Sequence, residues 1–442
     1  MHGPAGPSRE MSTALPLSRS PLATALAGML ALAVALGIGR FAFTPLLPMM
    51  LHDGVLDLTG AGWLASANYL GYLVGALLCT FWPWLGARWP RGAAPGAATL
   101  LRAGLAATTV LTLGMAGPWP TIWPLLRFAA GVASAFVFIF TSGWCLAQLA
   151  RAHASPLGGV MYAGPGAGIV LSGLLVSAMV PAHWSAAAGW AVFGIVALAL
   201  TARVWRVFHD PATTGATGAA AVDTPVAGSS APAAELGLMA LAYGLAGFGY
   251  IITATFLPVI ARQAMPGSAW IDLFWPIFGS GVVFGALLCT RIRMTGDLRL
   301  WLCGSYLVQG AGVLASVLAP NLAGFAVGSV LLGVPFTAIT FFAMQEARRL
   351  RPHAVASAMG LLTVLYGMGQ ILGPPLAAWL LRHSTSAAQG FNLSLEIAAP
   401  RWAWVPCCIC CWSGAGRGYK EALNKSPPCA FESQNRMICP PT

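Results

Sequence analysis

Lysine is absent from this chain until Lys420, and acids are scarce: 12 Asp and Glu stand against 23 Lys and Arg in 442 residues. Charged residues make up 8% of the sequence, far below the roughly 25% of a water-soluble domain, so a solvated globular surface is excluded. The chemistry of an enzyme is also missing. There is no HExxH and no convincing serine–histidine arrangement, and His52, His153, His183, His353 and His383 fall in turns between apolar runs. The reading is therefore not an enzyme, with no metal and no cofactor. Before residue 400 the cysteines are few, and Cys79, Cys145, Cys289 and Cys303 lie in apolar runs as packing residues. A net charge of +11 could suit nucleic acid, but the arginines stand in short turns between apolar runs, where they set orientation in a membrane; no nucleic-acid partner is expected.

What the chain has is hydrophobic length. Hydrophobic residues reach 57% and mean hydropathy is +0.74. A bilayer span needs about 20 mainly apolar residues, and eleven runs qualify, beginning near Leu22, Gly62, Ala97, Thr121, Leu157, Ala186, Leu236, Trp270, Leu300, Leu322 and Ala354. A twelfth, from about Gln389, is damaged. The run from Leu22 to Leu47 exceeds a signal-peptide core and reads as a retained first span. With the N-terminus in the cytoplasm, nearly all the turn arginines fall inside, among them Arg88, Arg91, Arg151, Arg203, Arg206, Arg291, Arg293 and Arg348, and outside fall Arg262 and Arg382. That asymmetry orients the chain.

The hexapeptide Gly75–Thr80 recurs letter for letter as Gly285–Thr290, 210 residues later. The same shift lays Gly37, Gly39, Leu47, Pro48 and Gly71 on Gly247, Gly249, Leu257, Pro258 and Gly281. Two parallel copies of one membrane unit around a midplane site are the mark of a transporter. An Ala/Thr/Gly/Ser/Pro-rich stretch divides them, giving a tail 1–21, a bundle 22–207, a cytoplasmic linker 208–235, a second bundle 236–399 and an atypical segment 400–442. Gly164-Pro165-Gly166-Ala167-Gly168 in the fifth span and Gly367-Met368-Gly369 in the eleventh supply the small residues that close helix packing needs.

On these residues the chain resembles the major facilitator superfamily: an all-α membrane protein of two six-helix bundles related by a pseudo-two-fold repeat, the last helix truncated or altered. Arg127 with Gly131 resembles the fourth-span motif, and Gly164-Pro165 with Gly168 part of the fifth-span antiporter motif. Gly86–Arg91 keeps the basic turn between spans two and three but lacks the family's Asp. The stretch Gly37–Pro48, followed by Gly62–Tyr72, is similar to the YbfB/YjiJ-type branch of bacterial members. The resemblance implies a monomeric, proton-coupled secondary carrier of a small molecule in the bacterial inner membrane, and the partial fifth-span motif points to export. The alternative is a membrane sensor or scaffold that keeps the fold without transporting.

The tail differs in kind. Cys407, Cys408, Cys410, Cys411, Cys429 and Cys439 crowd into it together with Lys420 and Lys425, and Pro400-Arg401 falls where the twelfth span should continue. We read a frameshift near codon 400; resequencing that finds one clean frame through Cys407–Cys411 removes the idea. A soft-metal or lipidation site is the alternative, but adjacent cysteines lack ligand spacing.

Polar groups at membrane depth point to the pathway. Arg40, Asn68 and Arg127 are expected at one level of spans one, two and four, with Tyr69 beside them, as a cationic patch that no embedded acid of the first half neutralises. Such a patch suits an anionic cargo. The alternatives are that Arg127 satisfies carbonyls of a broken first span, or that both arginines snorkel outward. In the second half Tyr250 replaces Arg40, with Tyr366 and Gln370 at the matching level, and Asp272 is the candidate for proton coupling or, alternatively, a helix-starting residue. Pro45, Pro48 and Pro258 are expected to break the outer ends of spans one and seven as gates, alongside the packing residues Gly164, Pro165 and Gly168.

Overall fold

The computed structural model describes residues 20–86, 88, 95–209, 233–264, 273–292, 298–319, 321–352, 354–383, 430–432 and 436–438. Outside them lie the linker, most of the Gly86–Arg91 turn, Asp272, the damaged twelfth run and the cysteine-rich segment. The first span is α1 (Pro21–Leu32), a wide π-helical turn (Ala33–Ile38) and α2 (Phe43–His52). There follow α3 (Leu58–Thr80), a short α4 (Trp82–Gly86), α5 (Ala97–Gly114), α6 (Trp123–Arg151), α7 (Gly158–Tyr162), α8 (Gly164–Met179) and α9 (Ala186–Val204). The second half holds α10 (Ala233–Ala264), α11 (Phe274–Leu288), α12 (Leu298–Leu318), α13 (Leu322–Leu350) and α14 (Val355–His383). Each of the eleven intact apolar runs expected from the sequence falls on one of these helices or end-to-end pairs, and nine of them have the length and hydropathy of a membrane span among the described residues. A short antiparallel hairpin, β1 (Ala430–Glu432) with β2 (Arg436–Ile438), sits in the tail.

The helices end where their residues dictate. Asp57 and Asn321 cap α3 and α13 by accepting from Gly60 N and Gly324 N. His153 and His183 take left-handed conformations just past α6 and α8, and the bonds Ala154 N→Leu149 O and Trp184 N→Met179 O close both ends in the same way. Of the histidines expected in turns, His52 and His383 are instead the last residues of α2 and α14.

The duplication is visible as packing. In the first half α3 lies on α6 and the first span on α8; in the second, α11 lies on α13 and α10 on α14. Glycines at repeat-related positions permit these approaches. A Cβ on Gly75 would meet Val132 O at 2.8 Å, and one on Gly285 would meet Val334 O at 1.7 Å. Likewise a Cβ on Gly131 would meet Asn68 O at 2.2 Å and one on Gly333 would meet Phe278 O at 2.3 Å, with residues 68 and 278 related by the repeat. The halves meet along α3 with α14 and along α8 with α11. At the face where α1 begins, here the near face, Arg348 Nη1 donates to Leu146 O at 2.7 Å and Ser357 Oγ to Thr80 O at 3.1 Å, both across the halves. At the opposite face Asp53 Oδ2 accepts from Ala186 N at 2.7 Å, tying the end of the first span to the start of α9.

Two expectations about helix breaks change. The first span breaks upstream of its prolines, at Ala33–Ala42, where Gly39 N and Phe41 N reach back five residues to Val34 O (2.8 Å) and Leu36 O (3.0 Å). Pro45 and Pro48 lie inside α2. Pro45 falls in its first turn, where an N–H is expendable. α10, in contrast, is one helix through Gly247, Gly249 and Pro258.

Substituting Gly285→Ala or Gly131→Ala forces a methyl onto backbone and should cost about 1–3 kcal/mol of stability. Gly62→Ala and Gly304→Ala, with nothing within 4 Å of the added carbon, should melt at or above the wild-type midpoint in detergent. Equal midpoints for all four would refute the packing described.

Candidate functional site

The break in the first span leaves carbonyls without helical partners, and α6 supplies them. On one face it presents Arg127, Gly131 and Ser134, at i, i+4 and i+7. Arg127 Nη1 donates to Gly39 O at 3.0 Å and Nη2 to Arg40 O at 3.3 Å. Ser134 Oγ lies 2.9 Å from Ala35 O and 2.7 Å from Ala130 O, its single proton shared between them. Gly131 lets α3 approach, and Asn68 Nδ2 donates to Arg127 O at 2.9 Å. Arg127 and Ser134 thus serve the broken segment, and Asn68 ties α3 to α6 beside them. Arg127 makes the bonds set out above as its alternative role.

Arg40, in the four-residue turn after the π-helical segment, does something different. It is 4% exposed, and its Nη2 donates to Gln370 Oε1 on α14, in the other half. Its guanidinium carbon stands 4.2 Å from the ring centre of Tyr72, 5.2 Å from that of Tyr69 and 5.7 Å from that of Phe41. Among the described residues no carboxylate pairs with Arg40 or Arg127; the Arg–carboxylate pairs present join Arg299 to Glu235 (2.9 Å) and Glu346 (3.2 Å), and Arg349 to Glu346 (3.3 Å). Leaving an ion without an opposite charge in a dry interior costs on the order of several kcal/mol. Cation–π contacts of roughly 0.5–2 kcal/mol each and one charged hydrogen bond offset only part of that.

Around this guanidinium the second half contributes aromatic rings. Tyr250 packs at 4.4 Å on Phe336 and 6.2 Å on Phe278, and Phe41 stands 6.2 Å from Trp275 and 6.3 Å from Phe336. Tyr366 stacks on Tyr243 at 4.6 Å, and the Tyr243 hydroxyl lies 3.0 Å from Thr340 Oγ1. Five buried polar atoms here have no protein partner among the described residues: Arg40 Nε, Asn68 Oδ1, Arg127 Nε, Tyr250 Oη and Trp275 Nε1.

Of the expected pathway residues, Tyr69 and Gln370 contact Arg40, Asn68 bonds the backbone of Arg127, and Tyr250 and Tyr366 stand in aromatic pairs of the second half. Gly168 and Gly164 serve packing: a Cβ on Gly168 would lie 2.5 Å from Gly37 Cα and one on Gly164 2.2 Å from Met29 O, while Pro165 opens α8. Asp272 lies outside the described residues, and Pro258 is placed only by its helix. Tyr72, Phe41, Phe278, Phe336 and Trp275 were not singled out from sequence. The repeat carried a signal for one of them, since it sets Phe278 opposite Asn68 just as it sets Tyr250 opposite Arg40. Glu346, buried with Arg299 at the near face, was also missed.

A family described as uncharacterised MFS-type transporter YbfB matches residues 32–399. No curated protein matches the chain.

Replacing Arg127 by Met strands the Gly39 and Arg40 carbonyls and should lower stability by about 1–3 kcal/mol for each orphaned group. Arg40→Met removes a buried charge that pairs with no carboxylate among the described residues, and should cost less than Arg127→Met although it frees Gln370 Oε1. Denaturation in detergent would decide it; the reverse order would assign the structural role to the wrong arginine.

Proposed function

The chain belongs to the MFS-type transporter family described as YbfB, and from that membership we propose that it is a secondary carrier moving a small organic anion by alternating access. A transporter embedded as a multi-pass membrane protein follows from the family and the apolar helices. The cargo charge is our reading of one observation: Arg40 is buried between the halves with no carboxylate among the described residues to neutralise it. Arginine keeps its proton under ordinary conditions, and we read a ligand as the source of the balancing charge. The same proposal puts the near face in the cytoplasm of a bacterial inner membrane, on the strength of the arginine asymmetry, and takes the protein as a monomer that favours export.

Rocking of residues 22–207 against 236–399 about the linker supplies alternating access. The break at Ala33–Ala42 and the tight contacts of Gly164 and Gly168 with the first span are the points where that motion bends, with Pro45, Pro48 and Pro258 near the outer mouth. Asp272 is the proposed proton carrier, since a poorly solvated carboxylate binds protons more tightly. The segment after Ala399, where the family match stops, is read as out of frame.

The test is flux. Full-length protein in proteoliposomes under an imposed pH gradient is exposed to a mixture of small carboxylates, neutral amides and amines, and lumenal contents are measured by mass spectrometry. One or more carboxylates should move, Arg40→Ala should abolish the movement, and Asp272→Asn should flatten its pH dependence. Movement of amines or amides that survives Arg40→Ala contradicts the proposal, and binding without counterflow favours the sensor.

A further inference from the structure

Gln370 occupies the position on Arg40 that a ligand oxygen would take. Its side chain is 1% exposed, comes from the half opposite Arg40, and accepts from Nη2 through Oε1. An amide oxygen brings a dipole and no net charge, so it is a weak substitute for a carboxylate on a guanidinium. The Nε–H on the same edge of Arg40 has no partner. That edge, Nε with one terminal nitrogen, fits two oxygens of a carboxylate side by side. The Tyr250 hydroxyl, on a ring packed against Phe336 and Phe278, is likewise buried without a partner.

The surroundings restrict what the carboxylate is attached to. Phe41, Tyr250, Phe278, Phe336 and Trp275 form one contiguous set of rings with centroids 4.4 to 6.3 Å apart. Aromatic walls favour a flat ring stacked or set edge-on. A second anionic group would need a second cation with a free two-nitrogen edge; among the described residues the other cation here, Arg127, has both terminal nitrogens bonded to backbone and only its Nε open. Resting on the anion-carrier reading, we propose that this site takes an aromatic monocarboxylate, whose carboxylate displaces the Gln370 amide oxygen from Arg40. Gln370 then acts as a resident placeholder. Its displacement breaks a hydrogen bond between the halves at the moment cargo binds, which links occupancy to their release.

The experiment uses full-length protein in lipid nanodiscs, with benzoate as the probe and cyclohexanecarboxylate, benzamide and inorganic phosphate as comparators, read by calorimetric titration. Benzoate should bind at least tenfold more tightly than any comparator and not at all to Arg40→Met. Gln370→Ala, lacking the competitor, should bind benzoate several-fold more tightly, because less of the protein is held in the closed-off state. Gln370→Glu, with a permanent carboxylate on Arg40, should lose benzoate binding while melting at a higher temperature when empty. Gln370→Ala that binds more weakly than wild type overturns the placeholder role. Arg40-dependent binding of phosphate or cyclohexanecarboxylate as tight as that of benzoate overturns the aromatic class and leaves the anion carrier standing. If no anion binds in an Arg40-dependent way, the carrier reading fails as well.

Discussion

A helix that breaks inside a bilayer must hand its stranded carbonyls to something other than water, and much of this structure follows from that requirement. The first span opens into wide turns at Ala33–Ile38, and the oxygens of Ala35, Gly39 and Arg40 are met by Ser134 and Arg127 of α6. The second half supplies the comparison. There α10 runs unbroken through Gly247–Tyr250, the positions the repeat matches to the break, and the residue of α13 in the register of Arg127, set by Gly333 against Phe278, is Ser329. An arginine stands where a break needs one, and a serine suffices where it does not.

The break also positions the site. Because residues 39–42 form a turn between two helices, Arg40 leaves the helical stripe and reaches Gln370 across the interface. The result is a charge that the first half meets with the rings of Tyr72, Tyr69 and Phe41 and the second half with the Gln370 amide. The near face is built differently: Arg299, Glu235, Glu346 and Arg349 form a mixed-charge cluster within the second half, while Arg348 reaches Leu146 of the first. Among the described residues, then, carboxylates pair with arginines at the near face, and none pairs with Arg40 or Arg127 at the centre.

Much of the architecture was legible because it rests on local pattern. Apolar run length marks the spans, and the repeated glycines mark the helix pairs, since a Cβ at Gly75 or Gly285 meets the neighbouring backbone. The site was legible in its members and not in its bonds. Arg40 and Gln370 are 330 residues apart, and no local pattern pairs them. The position of the break was misjudged because proline is a visible helix breaker, whereas the π-helical turn arises from Gly37 packed against Gly168 and from acceptors on another helix. Glu346 was missed because its partners, Arg299 and Glu235, lie on two other helices.

The central claim is that Arg40 and Gln370 hold the two halves together through one charged hydrogen bond while the site is empty. A double-mutant cycle measures it directly: wild type, Arg40→Met, Gln370→Leu and the double variant, each unfolded in the same detergent without added anion. The account predicts a coupling of roughly 1.5–3 kcal/mol, the range for a hydrogen bond to a charged group. Strict additivity of the two single changes would contradict it.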